Sequence, residues 1–307
     1  MDNAHALPLA EAGRLMRRAT VASMAVAVVL IAAKLAAWVV TDSVAMLSSL
    51  VDSALDLVSS LITFFAVRQA LTPADAGHRF GHGKAEALAG MTQAGFIAAS
   101  ALGVLLAVGE RLRHPRPIDD ESVGIVVSAF AVVLTLALVS FQKRVMRRTG
   151  SLAVTADRTH YFTDMMSNVA VGVGLFLSSR LGEPLIDIAV AVGVAGYLLV
   201  GSLGVGRKAL DVLMDHELPE EDRRRILAIA HAHPEVKGAH DLRTRSGGLT
   251  KFIQLHIELE PTLSFVGAHA IGDRIEAEIE QAFPGAEIIL HVDPVGVPER
   301  HPRDPDE

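Results

Sequence analysis

The chain has 307 residues, a mean hydropathy of +0.38 and half its residues hydrophobic, yet only 21% are charged and 5% aromatic, which excludes an ordinary soluble domain and points to long apolar runs. It has no cysteine, so disulfides and thiolate ligands are excluded and any metal must be held by His, Asp and Glu. The net charge of −7, with basic residues near segment ends rather than in a patch, argues against nucleic-acid binding.

Arg14, Arg17 and Arg18 precede the apolar run Ala19–Val40, which is too long for a signal-peptide core and reads as a first transmembrane helix. A span needs about 20 mostly apolar residues, and six segments qualify: 19–40, 44–68, 86–109, 122–142, 152–178 and 184–206. The second and fifth are less apolar because they carry Ser, Thr, Asp and His. Short-loop charges set the orientation. Arg14, Arg17, Arg18, Arg68, Arg79, Lys84, Lys143, Arg144, Arg147, Arg148, Arg207 and Lys208 fall on one side, against Arg111, Arg113, Arg116 and Arg180 on the other. Both termini are therefore expected in the cytoplasm.

After about residue 210 the pattern becomes that of a soluble domain. Pro219 opens a helix expected to run through His233, with Glu220, Glu221 and Asp222 in its first turn, as the helix dipole favours. Val236–Arg245 and Lys251–Glu260 read as strands joined at Ser246-Gly247-Gly248. Ser264–Phe283 has helical periodicity and Glu287–Val292 reads as a third strand. The order α-β-β-α-β predicts a small sheet with two helices on one face. The expected organisation is a cytoplasmic N-terminal segment 1–18, a six-helix transmembrane bundle 19–208, an α+β cytoplasmic metal-binding domain 209–297 and a disordered tail 298–307.

Asp52 and Asp56, in Leu50-Val51-Asp52-Ser53-Ala54-Leu55-Asp56, share one face of the second span. Each ionised Asp near a bilayer centre costs about 2.5–3.5 kcal/mol, so the pair must face a polar interior or bind a cation. Pairing with Lys34, or a place near the interface, is the alternative. His160 and Asp164 repeat the four-residue spacing in the fifth span; alone, such a pair also reads as a structural hydrogen bond. Together the two pairs offer one imidazole and three carboxylates, a closed four-coordinate site suited to Zn²⁺, with Cd²⁺, Fe²⁺, Co²⁺ or Mn²⁺ also compatible. Ca²⁺ and Mg²⁺ prefer all-oxygen shells.

A second cluster is Asp75, His78 and His82 in the glycine-containing segment Asp75–Lys84, either a loop folded around an ion or a solvated His-rich turn. A third is His240 and His256 on the paired strands, His291 and Asp293 on one face of the last strand, and His269 on the intervening helix. These suggest one or two ions; His216, His231 and His233 read as ordinary surface residues. There is no His-Glu-x-x-His, no Walker A loop and no Glu-x-x-His pair, so a zinc protease, ATP-driven transport and a di-iron bundle all lack their residues.

At these residues the chain resembles the cation diffusion facilitator family, and especially its bacterial zinc/ferrous-iron efflux branch. The matching stretches are Val51-Asp52-Ser53 through Asp56, Pro73-Ala74-Asp75, Phe80-Gly81-His82-Gly83-Lys84-Ala85-Glu86, His160-Tyr161, Asp164 and Gly238–Arg245, and the likeness runs from about residue 10 to 297. The resemblance implies a homodimer of six-span protomers in the bacterial inner membrane, with a metallochaperone-like cytoplasmic domain. By motif, Asp52, Asp56, His160 and Asp164 would be the transport site and Asp75, His78 and His82 a loop site. His240, His256, His269, His291 and Asp293 would form a binuclear site at the cytoplasmic dimer interface, with Asp293 bridging. Lys84 and Asp215 match the family's charge interlock near the membrane surface. One departure is Val292, where the resemblance implies a Gln making an outer-shell contact.

The expected function is export of a divalent transition metal, Zn²⁺ foremost, with protons as counter-ion and the same ion serving a structural or regulatory role in the cytoplasmic domain. Binding M²⁺ requires deprotonated ligands and so expels protons; facing outward, the imidazole of His160 is the natural group to take one up. The alternatives are a membrane metal sensor without transport, a proton-coupled exporter of organic cations that would not need His160, and a membrane metallohydrolase, for which no general base is found.

Overall fold

The structure, a computed structural model, describes residues 8–41, 44–113, 122–181 and 185–297; the expected disordered tail 298–307 and Arg116 lie outside them. The chain divides into two compact units, Met1–Met214 and Asp215–Glu307.

The first unit contains six long helices: α1 (Leu9–Thr41), α2 (Val44–Ala70), α3 (Ala85–Arg113), α4 (Ser122–Thr149), α5 (Leu152–Leu181) and α6 (Leu185–Leu213). Several overrun the apolar stretches read from the sequence. Hydropathy marks where a helix meets hydrocarbon, and a helix continues into the headgroup region if its last turns are charged. The end of α4, with Lys143, Arg144, Arg147 and Arg148, is the clearest case. Neighbours α1–α2, α2–α5, α5–α4 and α4–α1 close a ring, and α3 and α6 pair together against α5.

Among the described residues, five helices are long and apolar enough to cross a membrane, namely those of α1, α2, α3, α4 and α6. The sixth span expected from the sequence, α5, is not among these five. Helix α5 carries Asp157, Arg158, His160 and Asp164 in its first half. The packing is inverted relative to a water-soluble protein. Val40, Leu106, Val126, Val133, Val200 and Leu203 are exposed, whereas Ser23, Ser59, Ser60, Thr63, Gln93, Gln142, Asp157 and His160 are buried.

Two devices fix α5 along its length. Gly150 takes φ +67° after α4 and donates its N–H to Met146 O at 2.9 Å, the left-handed ending that glycine permits. Ser151 Oγ then accepts the Val154 N–H at 3.2 Å, while Glu86 of α3, itself buried, accepts from both Ser151 Oγ and the Ala153 N–H. A carboxylate at a helix N-terminus satisfies orphan donors and complements the dipole.

The second unit runs α7 (Glu220–His231), β1 (Gly238–Gly247), β2 (Thr250–Leu259), α8 (Phe265–Ala282) and β3 (Glu287–Pro294). Strand β2 is central, antiparallel to β1 and parallel to β3. The expected turn at Ser246-Gly247-Gly248 is displaced: Gly247 stays in β1 opposite Thr250, and Gly248 and Leu249 form the turn. A Cβ on Gly247 would lie 2.7 Å from the Phe252 ring, and Gly248 takes the φ of +83° that the two-residue turn requires. Ser264 caps α8 by accepting the Gly267 N–H at 3.1 Å.

Alternation along β2 sends Ile253, Leu255, Ile257 and Leu259 into a core with Ile226 and Ala230 of α7 and Ile271, Ile275 and Ile279 of α8. His256 and Glu258 point to the face the helices leave uncovered.

Candidate metal centres

His160 is 4% exposed and its Nε2 lies 3.2 Å from Asp56 Oδ1 and 3.3 Å from Asp164 Oδ2. One ligand atom from each of Asp56, His160 and Asp164 falls within 4.8 Å of the others, so a single ion can touch all three. Asp164 sits beside His160 because they are one turn apart on α5; Asp56 reaches them because α2 packs on α5. Asp52 stands outside this group. It lies a further turn along α2 and is exposed, so a helical rise of about 6 Å separates it from the level of His160.

In the segment between α2 and α3, Asp75 gathers both imidazoles: His78 Nδ1 is 3.2 Å from its Oδ1 and His82 Nε2 3.3 Å from its Oδ2. Asp75 Oδ1 also accepts the N–H groups of His78 at 2.7 Å and Gly77 at 2.8 Å, the Asx turn that a short side chain can make. The His78 N–H, followed by that of Gly77 and the His78 ring, holds the Asp75 carboxyl below the usual carboxylate range. Contact of His82 Nδ1 with Thr72 O at 3.4 Å assigns the proton to Nδ1 and leaves Nε2 as the ligand atom. Gly81 at φ +75° lets the chain turn between the two rings.

In the second unit, strand register aligns three histidines. His240 opposes His256 across β1 and β2, and His256 opposes His291 across β2 and β3. Asp293, 4% exposed, bridges the row: its Oδ2 is 2.9 Å from His256 Nδ1 and its Oδ1 is 3.1 Å from His291 Nε2, with His240 Nε2 at 3.9 Å from Oδ2. His240, His256 and Asp293 can share one ion. His269 does not join them. It lies on α8, across the sheet, 69% exposed, and meets Asp273 at 3.6 Å. Val292 packs into the core on the opposite face from His291 and Asp293, so the replacement there does not alter the row of ligands.

Lys84 donates to Leu213 O at the end of α6 at 3.3 Å, and Asp215 pairs with Arg245 at 3.3 Å within the second unit. His233 is not an ordinary surface residue: its side chain is 10% exposed and faces Glu278 of α8 at 3.3 Å.

Sequence reasoning missed a polar knot beneath the first centre. Asp157 of α5, 1% exposed, accepts from Ser23 of α1 at 2.5 Å and Gln142 of α4 at 2.7 Å. Tyr161, one turn on, reaches Ser60 of α2 at 2.8 Å. The signal was present: Asp157 lies i−3 and i−7 from His160 and Asp164, on the same helical face, and an acid inside a span is a functional candidate by default.

Two family models cover almost all of the chain: cation efflux transmembrane domain over residues 20–214, and cation efflux protein, cytoplasmic domain, over 218–295. The cation-efflux pump FieF of Klebsiella pneumoniae is 46% identical over 285 residues, covering 93% of this chain and 95% of that protein. The FieF pumps of Escherichia fergusonii and Escherichia coli O1:K1 are each 45% identical over the same coverage.

Proposed function

The chain belongs to the cation efflux family, and from that premise we propose that it exports divalent transition-metal ions, Zn²⁺ or Fe²⁺ foremost, in exchange for protons. The observation that carries this reading is the Asp56–His160–Asp164 group, with two half-buried carboxylates around a buried imidazole, shared by two helices inside an inverted bundle. Bare carboxylates crowded in low dielectric favour either a doubly positive ion or protons, so loading one displaces the other. Asp52, one turn along α2, joins the ligand set in a state in which α2 has shifted along α5, which makes ligand number the variable that alternating access changes. A ligand set that includes an imidazole disfavours the organic-cation alternative, which has no use for His160. An intramembrane site disfavours a sensor confined to the cytoplasmic domain.

Six spans are part of the proposal. Helix α5 packs on α2, α3, α4 and α6 and presents its polar face inward, which is how a helix too polar for lipid is accommodated in a bundle. With both termini cytoplasmic, the Asp75–His82 loop and the second unit face the metal-supplying side. The binuclear reading of the second unit is proposed for a homodimer, in which His269 would come from a second copy, because its own sheet separates it from the His240–His256–His291 row.

The test is flux in proteoliposomes carrying an internal zinc dye under an imposed pH gradient. Wild-type protein should move zinc only with the gradient, and Asp56→Ala, His160→Ala and Asp164→Ala should each abolish movement. Full flux in Asp56→Ala would sink the site assignment. Competition among Zn²⁺, Fe²⁺, Cd²⁺, Co²⁺ and Mn²⁺ in the same vesicles ranks the substrates.

A further inference from the structure

A cavity of about 470 Å³ lies between α1 and α2, lined by Arg17, Thr20, Val21, Phe64 and Arg68. Its position is set by the sequence, because the apolar run of α1 begins at Ala19, just after Arg17 and Arg18, and that of α2 ends at Arg68. The cavity therefore stands at the edge of the hydrocarbon. Arg17, Thr20 and Val21 are spaced i, i+3, i+4 on one helix and Phe64 and Arg68 i, i+4 on the other, so each helix contributes one face.

Its chemistry is divided. Both arginines are exposed, and among the described residues neither guanidinium has a carboxylate partner, whereas Arg148 nearby in the same unit is paired with Glu11 at 3.0 Å. The inner wall is apolar: Val21 is 51% exposed, Phe64 is partly exposed, and the Thr20 hydroxyl is taken up by Arg17 O at 3.1 Å. Two planar cations over an apolar wall match a molecule with an anionic head and a hydrocarbon tail. Guanidinium forks grip phosphate oxygens in pairs, and basic pockets between spanning helices are where anionic headgroups dock. A free phosphate would leave the apolar wall unused, and a zwitterionic lipid would bring a cationic group up against the two arginines.

We propose that this cavity holds an anionic phospholipid, with its phosphate between Arg17 and Arg68 and an acyl chain against Val21 and Phe64. The bound lipid bridges α1 to α2, the helix that carries Asp56. The inference depends on the membrane placement of these two helices and not on which ion is exported.

Native mass spectrometry of the full-length protein in neutral detergent tests it, with phosphatidylglycerol, phosphatidylcholine or inorganic phosphate added at equal concentration. Phosphatidylglycerol should be retained over phosphatidylcholine by about 10-fold or more. Arg17→Ala/Arg68→Ala should erase that preference, while Arg14→Ala/Arg18→Ala, which removes equal charge from α1 outside the cavity, should preserve it. Val21→Trp, which fills the wall and leaves both arginines, should weaken retention of both lipids, and it serves if the double alanine variant does not fold. Asp56→Ala should keep the lipid preference even though it abolishes flux, so failure of the transport reading and failure of this one are told apart. Equal losses in the two arginine pairs would mean diffuse surface charge, and displacement by inorganic phosphate would mean a simple phosphate site. Either result, or equal retention of the two lipids, overturns the proposal.

Discussion

Lys34 of α1 donates a hydrogen bond to Ser53 Oγ of α2 across 2.7 Å and another to Ser49 O across 3.0 Å. The bundle thus holds a cation of its own next to the aspartate-bearing face of α2, where Asp52, Asp56 and Asp164 all feel its charge. A fixed positive charge there lessens the cost of gathering carboxylates and opposes a metal ion arriving among them.

Lys34→Met should therefore bind zinc more tightly at the intramembrane centre, by roughly 5–10-fold, on the order of 1 kcal/mol for a partly screened charge. It should also release zinc more slowly and lower the thermal midpoint of the metal-free protein. Zinc competition titration in detergent reads the first effect; weaker binding in the variant would show that Lys34 supports the site rather than opposing it.

Asp157→Ala strips the carboxylate shared by Ser23 and Gln142, leaving Ser23 only the Ala19 carbonyl and Gln142 only the Ser23 hydroxyl as acceptors. The expected loss is about 1–2 kcal/mol of stability, seen as a lower thermal midpoint in detergent. Because the knot joins α1, α4 and α5, Ser23→Ala and Asp157→Ala should be non-additive in a double-mutant cycle. Additive losses would mean that the two side chains act independently.

The Asp75 turn gives a pH prediction with a definite sign. Its N–H donors favour the carboxylate, so its pKa is depressed in the folded chain. The stabilisation is complete above the unfolded value of about 3.9 and disappears only as pH falls through the lower folded value. The part of the Gly77 and His78 amide shifts that reports the Asp75 carboxylate should move only below about pH 4. Asp75→Asn should retain the turn through its remaining oxygen and lose about 10-fold or more in metal affinity.

Zinc should raise the thermal midpoint of the protein and a chelator should reverse it, with about 2.7 kcal/mol of stabilisation at 100 times the dissociation constant. Asp293→Ala, which removes the bridge between His256 and His291, should reduce most of the shift contributed by the second unit. His269→Ala should leave that shift intact at low protein concentration, where the chain is monomeric, and reduce zinc-dependent dimerisation. A full loss of the monomer shift in His269→Ala would contradict its position across the sheet.

The sequence by itself determined everything that depends on distance along one element. The four-residue spacings of Asp52 with Asp56 and of His160 with Asp164 and the two-residue step from His291 to Asp293 follow from the periods of helix and strand. The packing of α2 on α5, which carries Asp56 to His160 while Asp52 stays a turn away, was decided only by tertiary structure. So were the alignment of His240, His256 and His291 in one row, the exclusion of His269 from it, and the knot of Asp157 with Ser23 and Gln142. The physical reason is that helical and strand periodicity fix which side chains share a face, whereas which faces meet is chosen by packing across the whole chain, and no local pattern encodes that choice.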